Sequence, residues 1–314
     1  MKSIQLHSYG DPEVLMYEES PQPQPQENEV LIRVYAAAIN PVDWKIRQGY
    51  LQSKFPFPLP LILGYDLSGV VDAIGNQVSN LAVGDEVFAM LPLERLGAYA
   101  EYVVANAELV APKPKSIDFD TAAAIPSIAL TAWQALFDLA NLQSGQTILI
   151  HGASGGVGRY AVQLAKWKGA IAIGTASSEN LVSIQQLGVD LAIDYKNERF
   201  EEKVANVDVV FDTVGGETRQ RSWQVLKSGG ILISTEGAAE PIVPPSADLR
   251  SIAIFTTPSD ISQLIQIGNL IDRGIIKPSP VERFALQDAA EAHTAIQHNH
   301  KHGKIILSAI RDSQ

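Results

Sequence analysis

Cysteine is absent from all 314 residues. That excludes disulfides, thiolate nucleophiles, iron–sulfur clusters and cysteine-ligated zinc together, and it suits a reducing compartment. Positive charge is scarce. The 24 Lys and Arg stand against 35 Asp and Glu, for a net charge of −11, a field that repels phosphate backbones and anionic lipid. Neither nucleic acid nor a membrane is an expected partner. Long apolar runs are missing too: the N-terminal MKSIQLHSYG has no stretch of signal-peptide length. The least polar segment, Thr121 to Leu142, is broken by Pro126, Ser127, Thr131 and Asp138, so no bilayer span is expected. These absences suggest a cytoplasmic protein. Low complexity is confined to Pro21-Gln22-Pro23-Gln24-Pro25-Gln26, a short stiff connector.

What is present is a globular composition, 46% apolar and 19% charged, with room for two domains of roughly 150 residues each. The two halves follow different patterns. From Ser3 to about Ala111, short β-rich pieces (Val30 to Ala36, Gly69 to Ile74, Glu86 to Ala89, Ala98 to Val104) are separated by Gly, Pro and Asn. From about Thr121, apolar strands alternate with helical stretches. Strands are expected at Thr147 to His151, Ala170 to Thr175, Leu191 to Asp194, Val207 to Asp212 and Ile231 to Ser234, with helices at Val157 to Lys168, Glu179 to Leu187 and Thr218 to Leu226. That alternation implies a parallel sheet covered on both faces, a doubly wound α/β domain. After Pro258 come a helix at Ile261 to Arg273, Ser279 to Phe284, Ala289 to Gln297 and the closing strand Lys304 to Ser308. These pieces continue no βαβ pattern. They are expected to return to the first domain, giving one domain from 1–120 with 258–314 and a second from 121–257.

Between the strand TILIH and its helix stands Gly152-Ala153-Ser154-Gly155-Gly156-Val157-Gly158. Glycines there permit a tight turn, bring amide N–H groups to a pyrophosphate and let the helix sit close to the strand, while the helix N-terminus attracts the anion. The spacing departs by one residue from G-x-G-x-x-G. The same residues also fit a nucleophile elbow, Gly152-x-Ser154-x-Gly156, with Asp212 and His293 in hydrolase order. A separate β domain ahead of the turn argues against that hydrolase reading. The next strand ends Gly174-Thr175-Ala176-Ser177-Ser178 without the carboxylate that would bond an adenosine ribose. Ser177 and Ser178 can donate to a 2′-phosphate, which favours NADP(H), although no Lys or Arg stands in this turn and Glu179 lies beside it.

Several motifs together carry a resemblance. Asn40-Pro41-Val42-Asp43-Trp44-Lys45-Ile46-Arg47-Gln48-Gly49, Leu63-Gly64-Tyr65-Asp66-Leu67-Ser68-Gly69-Val70-Val71 with Gly75, and Val83-Gly84-Asp85-Glu86-Val87 come first. HGASGGVG, Leu187-Gly188-Val189-Asp190, Ile193-Asp194-Tyr195, Asp212-Thr213-Val214-Gly215-Gly216 and Gly303-Lys304-Ile305-Ile306-Leu307 follow. In this order, over nearly the whole chain, they resemble zinc-independent medium-chain dehydrogenase/reductases of the quinone oxidoreductase type. The resemblance implies a GroES-like β domain and a Rossmann domain with NADPH in the cleft between them, in an enzyme that passes hydride to a quinone or an activated alkene. It also implies a homodimer. Asn40 and Thr131 are expected at the nicotinamide region, and Tyr50, with Phe55 and Phe57, at the substrate mouth. The glycine run, Tyr195, Val214, Gly215 and Lys304 are expected at the cofactor. Zinc-using relatives place Cys and a His-Glu pair where this chain has Asn40, Tyr65 and Asp66, so no metal site is expected. The His298-x-His300-x-His302 run fits no standard metal spacing. An NADPH-binding protein without turnover on the same fold is the alternative.

Overall fold

A computed structural model describes residues 1–236, 242–254, 257–298 and 303–309. In chain order it begins with β1 (Lys2–Leu6), β2 (Leu15–Glu19), β3 (Glu29–Ala38), α1 (Pro41–Arg47), β4 (Leu61–Ile62) and β5 (Asp66–Ile74). Then come β6 (Glu86–Met90), β7 (Tyr102–Asn106), β8 (Val110–Pro112), α2 (Phe119–Ala123) and α3 (Pro126–Trp133). The α/β part holds β9 (Thr147–His151), α4 (Gly156–Lys168), β10 (Ile171–Ala176), α5 (Leu181–Gln186), β11 (Leu191–Asp194), β12 (Val207–Asp212), α6 (Gly216–Ser222), β13 (Leu226–Ser234) and β14 (Arg250–Ala253). The chain closes with α7 (Ile261–Asp272), β15 (Val281–Ala285), α8 (Ala289–His298) and β16 (Lys304–Ser308). Two units result, Met1–Ser127 with Pro258–Gln314, and Ile128–Thr257.

In the first unit β3 is the hub. Its EVLIRVYAAA sequence is buried along nearly its whole length because β5, β7 and β16 all pair with it antiparallel and layers cover both faces. The sheet runs β15-β16-β3-β5-β6-β8, with β7 also on β3, and a smaller sheet runs β2-β1-β4. Ile4, Leu6, Ile32, Val34, Leu67, Val87 and Tyr99 fill the core; each fully buried aliphatic contributes about 1.5–3 kcal/mol. Ala36 and Ala38 on β3 pack with Ala123, Ala124 and Ile306, where small side chains let α2 lie close to the sheet.

The second unit is a six-stranded parallel sheet in the order β11-β10-β9-β12-β13-β14. It is a Rossmann-like α/β layer, and the order reverses between β9 and β12, where such sheets open a crevice at their carboxyl ends. Three expected elements differ. The helix expected to Leu226 ends at Ser222, because Leu226 already pairs with Val207; Ile231 pairs next with Val209, so Lys227 to Gly230 form an irregular bulge inside β13. The strand expected at Ala98 to Val104 runs from Tyr102 to Asn106 on β3, because the residues before it turn to other partners: the Tyr99 N–H donates to the Leu63 carbonyl (3.0 Å) and its carbonyl accepts from the Ile4 N–H of β1 (2.8 Å). The helix expected from Glu179 starts as a 3-10 turn at Ser178–Asn180 and is α-helical only from Leu181 to Gln186.

The return of the chain is held by a buried arginine. Arg47, on α1, donates through Nη1 to His293 Nδ1 (3.2 Å), through Nη2 to Gln297 Oε1 (2.8 Å) and through Nε to the Gly10 carbonyl (3.1 Å). His293 Nδ1 therefore accepts and its ring stays neutral. Burial first, then the Arg47 charge, pushes its pKa from 6.5 down to about 3. On unfolding the imidazole regains its ordinary value, so below pH 6.5 the unfolded chain binds a proton that the native one does not, and stability is lost as pH falls towards about 3. Asp43, raised by burial to about 7, acts in the opposite sense and cancels in any comparison that leaves it intact. His293→Gln keeps an acceptor for Arg47 but takes up no proton. Urea midpoints measured from pH 7 to pH 4 should therefore fall less steeply in the variant than in wild type, and parallel slopes would refute the assignment.

Candidate active site

The turn after β9 leads straight into α4. Gly152 is left-handed (φ +69°), and a Cβ there would lie 2.4 Å from Thr213 Oγ1. Gly158 packs onto it, where a Cβ would meet the Gly152 carbonyl oxygen at 2.2 Å. Gly155 is the N-cap and makes no side-chain capping bond, so the first N–H groups of α4 remain for an anion. The Ala153 N–H is tied to the Thr175 carbonyl (3.0 Å), and Thr213 Oγ1 donates to the His151 carbonyl (2.8 Å). Next to this turn, Asp212 at the end of β12 accepts the N–H groups of Val214 and Gly215 (both 2.9 Å) and the Ser234 hydroxyl (2.9 Å). Gly152 to Gly158, partly exposed Ser154 included, thus meet Val214 and Gly215 at the carboxyl ends of adjacent strands.

Beneath the turn, His151 lies between Thr175 Oγ1 (3.1 Å) and Ser222 Oγ (2.9 Å), and Ser222 donates its own proton to the Thr218 carbonyl (2.7 Å). Nε2 is therefore the donor and Nδ1 the acceptor. Burial lowers the His151 pKa to about 4, which keeps the ring neutral.

Ser177 and Ser178 follow β10. Ser178 donates to Asp194, Asn180 Nδ2 donates to Ser177 Oγ (2.9 Å), and Asn197 Nδ2 donates to Asp194 (2.8 Å). The missing cation of this turn arrives from the neighbouring strand. Lys196 Nζ lies 3.2 Å from Glu179 Oε1, in an exposed pair beside exposed Tyr195. Sequence reading missed Lys196 because it is 17 positions from Glu179. The parallel pairing of Ala176 with Asp194 brings the two together, and the expectation that β10 and β11 are parallel neighbours was the available signal.

In the first unit, four segments meet at Asn40. Its backbone N–H donates to Asp43 Oδ2 (2.7 Å), and its Nδ2 donates to Asp66 Oδ2 (3.0 Å). Its Oδ1 accepts from Lys304 Nζ and lies 3.1 Å from Ser127 Oγ. Asp66 also accepts the Ser127 N–H (3.0 Å) and hydroxyl. All five side chains are buried. Burial raises Asp43 to about 7 against the pull of the Asn40 N–H and Lys304, and raises Asp66 against Lys304 and Ser127. It also lowers the Lys304 ammonium, which both carboxylates counteract, and it holds the Tyr65 phenol well above its usual range. Lys304, expected at the cofactor, is thus bonded within this cluster. Ser127 is the member sequence reading passed over, because its partners are 61 and 87 positions away.

Other candidates lie elsewhere. Thr131 Oγ1 pairs with Thr257 Oγ1 at 2.8 Å, not with its own helix. Tyr50 is 67% exposed, its ring edge-on to Trp44 at 6.0 Å, and Phe55 stacks on Phe57 at 5.9 Å. The hydrolase triad is not formed: Asp212 caps its own turn, and His293 Nδ1 is committed to Arg47. The His298, His300 and His302 side chains fall outside the described residues.

Residues 26–115 match the alcohol dehydrogenase GroES-like domain family, and residues 187–307 match the zinc-binding dehydrogenase family. The chain is 36% identical over 321 aligned residues to an NADPH-dependent alkenal/one oxidoreductase of Arabidopsis thaliana, covering 99% of this chain and 80% of that protein. It is 34% identical to a quinone oxidoreductase of Pseudomonas aeruginosa, covering 98% and 99%. A solved quinone oxidoreductase from Coxiella burnetii superposes with a TM-score of 0.91 at 35% identity, covering 99% of each chain. The chain belongs to the quinone oxidoreductase-like medium-chain dehydrogenase/reductases.

One of the two matched families is described as zinc-binding, and the residues here do not fit that metal. Asn40, Tyr65 and Asp66 offer neither sulfur nor imidazole, and the Lys304 ammonium sits against Asn40. Among the described residues no three His, Cys, Asp or Glu stand close enough to share an ion.

Two glycines of the turn make a contrast that can be measured. A Cβ at Gly156 would make only ordinary contact, 3.5 Å from Ile128 Cγ2, whereas one at Gly158 collides with backbone. Gly158→Ala should cost about 1–3 kcal/mol, while Gly156→Ala should stay within about 1 kcal/mol of wild type. Denaturant unfolding checks this, and equal losses would contradict the packing described.

Proposed function

We propose that this chain is an NADPH-dependent oxidoreductase that reduces a quinone, or the alkene of an α,β-unsaturated carbonyl compound, without zinc. One pairing carries the reading: an uncapped glycine turn at the sheet's switch point, in a chain whose metal position is filled by Asn40, Tyr65 and Asp66. The relatives support it. The Arabidopsis protein is named for NADPH and alkenal/one substrates, and a quinone oxidoreductase of Escherichia coli, solved in complex with NADPH, has a TM-score of 0.84 at 29% identity, covering 98% of this chain.

Gly152 to Gly158, with Val214 and Gly215, hold the pyrophosphate, and the amides at the start of α4 face its charge. Ser177, Ser178, Tyr195 and Lys196 receive the adenosine phosphate, for which Lys196 exchanges its exposed contact with Glu179. NADPH, when bound, supplies a hydride and its two electrons. Asn40 and Thr131 orient the reacting groups, and Tyr50 borders the substrate. An unactivated alcohol is a poor substrate by this reading, since its oxidation needs a base or metal to take the hydroxyl proton. A cytoplasmic homodimer is part of the same reading, and the absence of cysteine suits the compartment.

NADPH consumption should be rapid with simple quinones, enals or enones, and NADP⁺ reduction by simple alcohols should be negligible. Tight NADPH binding without turnover across that panel would favour a binding protein instead. Asn40→Ala should lower kcat/KM about tenfold, or about 1.4 kcal/mol of transition-state stabilisation. Ser154→Ala should weaken NADPH by only about 1 kcal/mol, since Ser154 is a phosphate donor and not a nucleophile.

Two further outcomes are specific to this chain. Lys196→Ala should reduce the kcat/KM ratio of NADPH to NADH about tenfold, the effect of one charge-assisted hydrogen bond, with NADH kinetics nearly unchanged; an unaltered ratio would remove Lys196 from the site. Elemental analysis of purified protein should find no stoichiometric zinc, and chelator should leave turnover intact.

A further inference from the structure

Lys304 is a buried ammonium with unused hydrogen-bonding capacity. Only 8% of the residue is exposed. Of its three N–H donors, one goes to Asn40 Oδ1; Asp66 and Asp43 act on it through charge, and no second acceptor among the described residues lies within hydrogen-bond distance. The other lysine buried among the described residues, Lys113, differs: it donates to the carbonyls of Pro114 (3.0 Å) and Ile117 (2.7 Å) and pairs with Glu86 (3.1 Å). Lys113 is saturated and structural, whereas Lys304 has donors left over. Beside it, Asn40 gives one Nδ2 hydrogen to Asp66 and keeps the second. An ammonium and an amide with surplus donors, side by side and held by buried partners, form a ready place for an oxygen that gains negative charge.

The surrounding charges allow this. Asp66 already accepts the Ser127 N–H, the Ser127 hydroxyl and the Asn40 amide. Asp43, with its carboxyl raised to about 7, is substantially protonated at neutral pH. The Tyr65 and Tyr99 phenols, the remaining titratable groups around the two carboxylates, stay neutral. Among the described residues, Lys304 is the cationic side chain bonded to Asn40, with Asp66 and Asp43 opposing the effect of its burial.

Resting on the function proposed above, we infer that Lys304 is a catalytic residue, with its ammonium and the Asn40 amide donating to the substrate oxygen on which negative charge develops. For an unsaturated carbonyl, the arriving hydride bonds to the β-carbon, the alkene π pair shifts, and the carbonyl oxygen becomes an enolate oxygen held by Lys304. The α-carbon then takes a proton from water, and Lys304 ends the cycle as it began, an ammonium. For a quinone, the oxygen so held is the phenolate of the reduced ring. The field that a metal provides elsewhere is here provided by a side chain of β16.

Hydride transfer is not needed for the main test. With 4-nitrophenol as probe and NADP⁺ saturating, absorbance titration should show the wild-type protein lowering the pKa of bound phenol by about one unit or more, because the phenolate lies against Lys304. Lys304→Met should abolish that lowering and cut kcat/KM for enones by about 10²- to 10³-fold, with the NADPH dissociation constant within about twofold of wild type. Lys304→Arg keeps the charge and should retain most of the phenolate preference, and it carries the test if the Met variant does not fold. The inference fails if wild type binds phenol and phenolate equally, if Lys304→Met preserves the shift, or if Lys304→Arg loses it as fully as Met. A wild-type protein that prefers phenolate but reduces no quinone or enone would overturn the proposed function and leave Lys304 as an oxyanion site.

Discussion

The hydrogen bond from Lys304 to Asn40 joins residues 264 positions apart, and it exists because β16 pairs antiparallel with β3, Ile306 opposite Ala38. Much else follows from that closure. An ammonium and two carboxylates are each costly to bury alone, and here each is compensated by another or by Asn40 and Ser127. The same closure places α8 against α1, so that Arg47 finds His293 and Gln297. The first unit is therefore held at both ends of its chain by buried polar contacts, and the residues that close the sheet are also those with donors to offer a ligand.

The second unit uses a different device. Its parallel sheet reverses order between β9 and β12, and the connections leaving those strands meet at their carboxyl ends. Neutral His151 lies below the glycine turn without adding charge, Asp212 absorbs the amides of its own loop, and the start of α4 is left uncapped. The result is a surface of unpaired backbone N–H groups, which the proposed function assigns to a diphosphate. In the proposed function, charge recognition falls instead to Lys196, just beyond the end of the neighbouring strand.

Much of the fold was legible because burial imposes periodicity. TILIH and VDVVFD read as buried parallel strands and form them within the expected limits, Thr147–His151 and Val207–Asp212. The glycine turn was legible too, since Gly152 and Gly158 are required by local backbone and by a contact between neighbours in sequence. Local pattern misled at Leu226, whose place in β13 depends on Val207, and at Ala98 to Val104, where Tyr99 bonds to Leu63 and Ile4 and only the part from Tyr102 joins β3. Of the candidate site, Asn40 and Lys304 could be named from motifs, but their mutual contact could not. Ser127 and Lys196 carried no local signal at all.

By itself, the sequence determined what depends on residue type and short-range spacing: no thiol and no sulfur or imidazole ligand at the metal position, an alternating strand-and-helix half, a glycine turn before a helix, and no carboxylate after the next strand. The tertiary structure alone decided which buried charges compensate one another, which serine joins Asn40 to Asp66, and which lysine reaches the turn at Ser177. The physical reason is range. Backbone conformation and hydrophobic periodicity are set by residues a few positions apart, whereas the energy of a buried ammonium or carboxylate depends on whichever distant groups the sheet pairing brings within hydrogen-bonding distance.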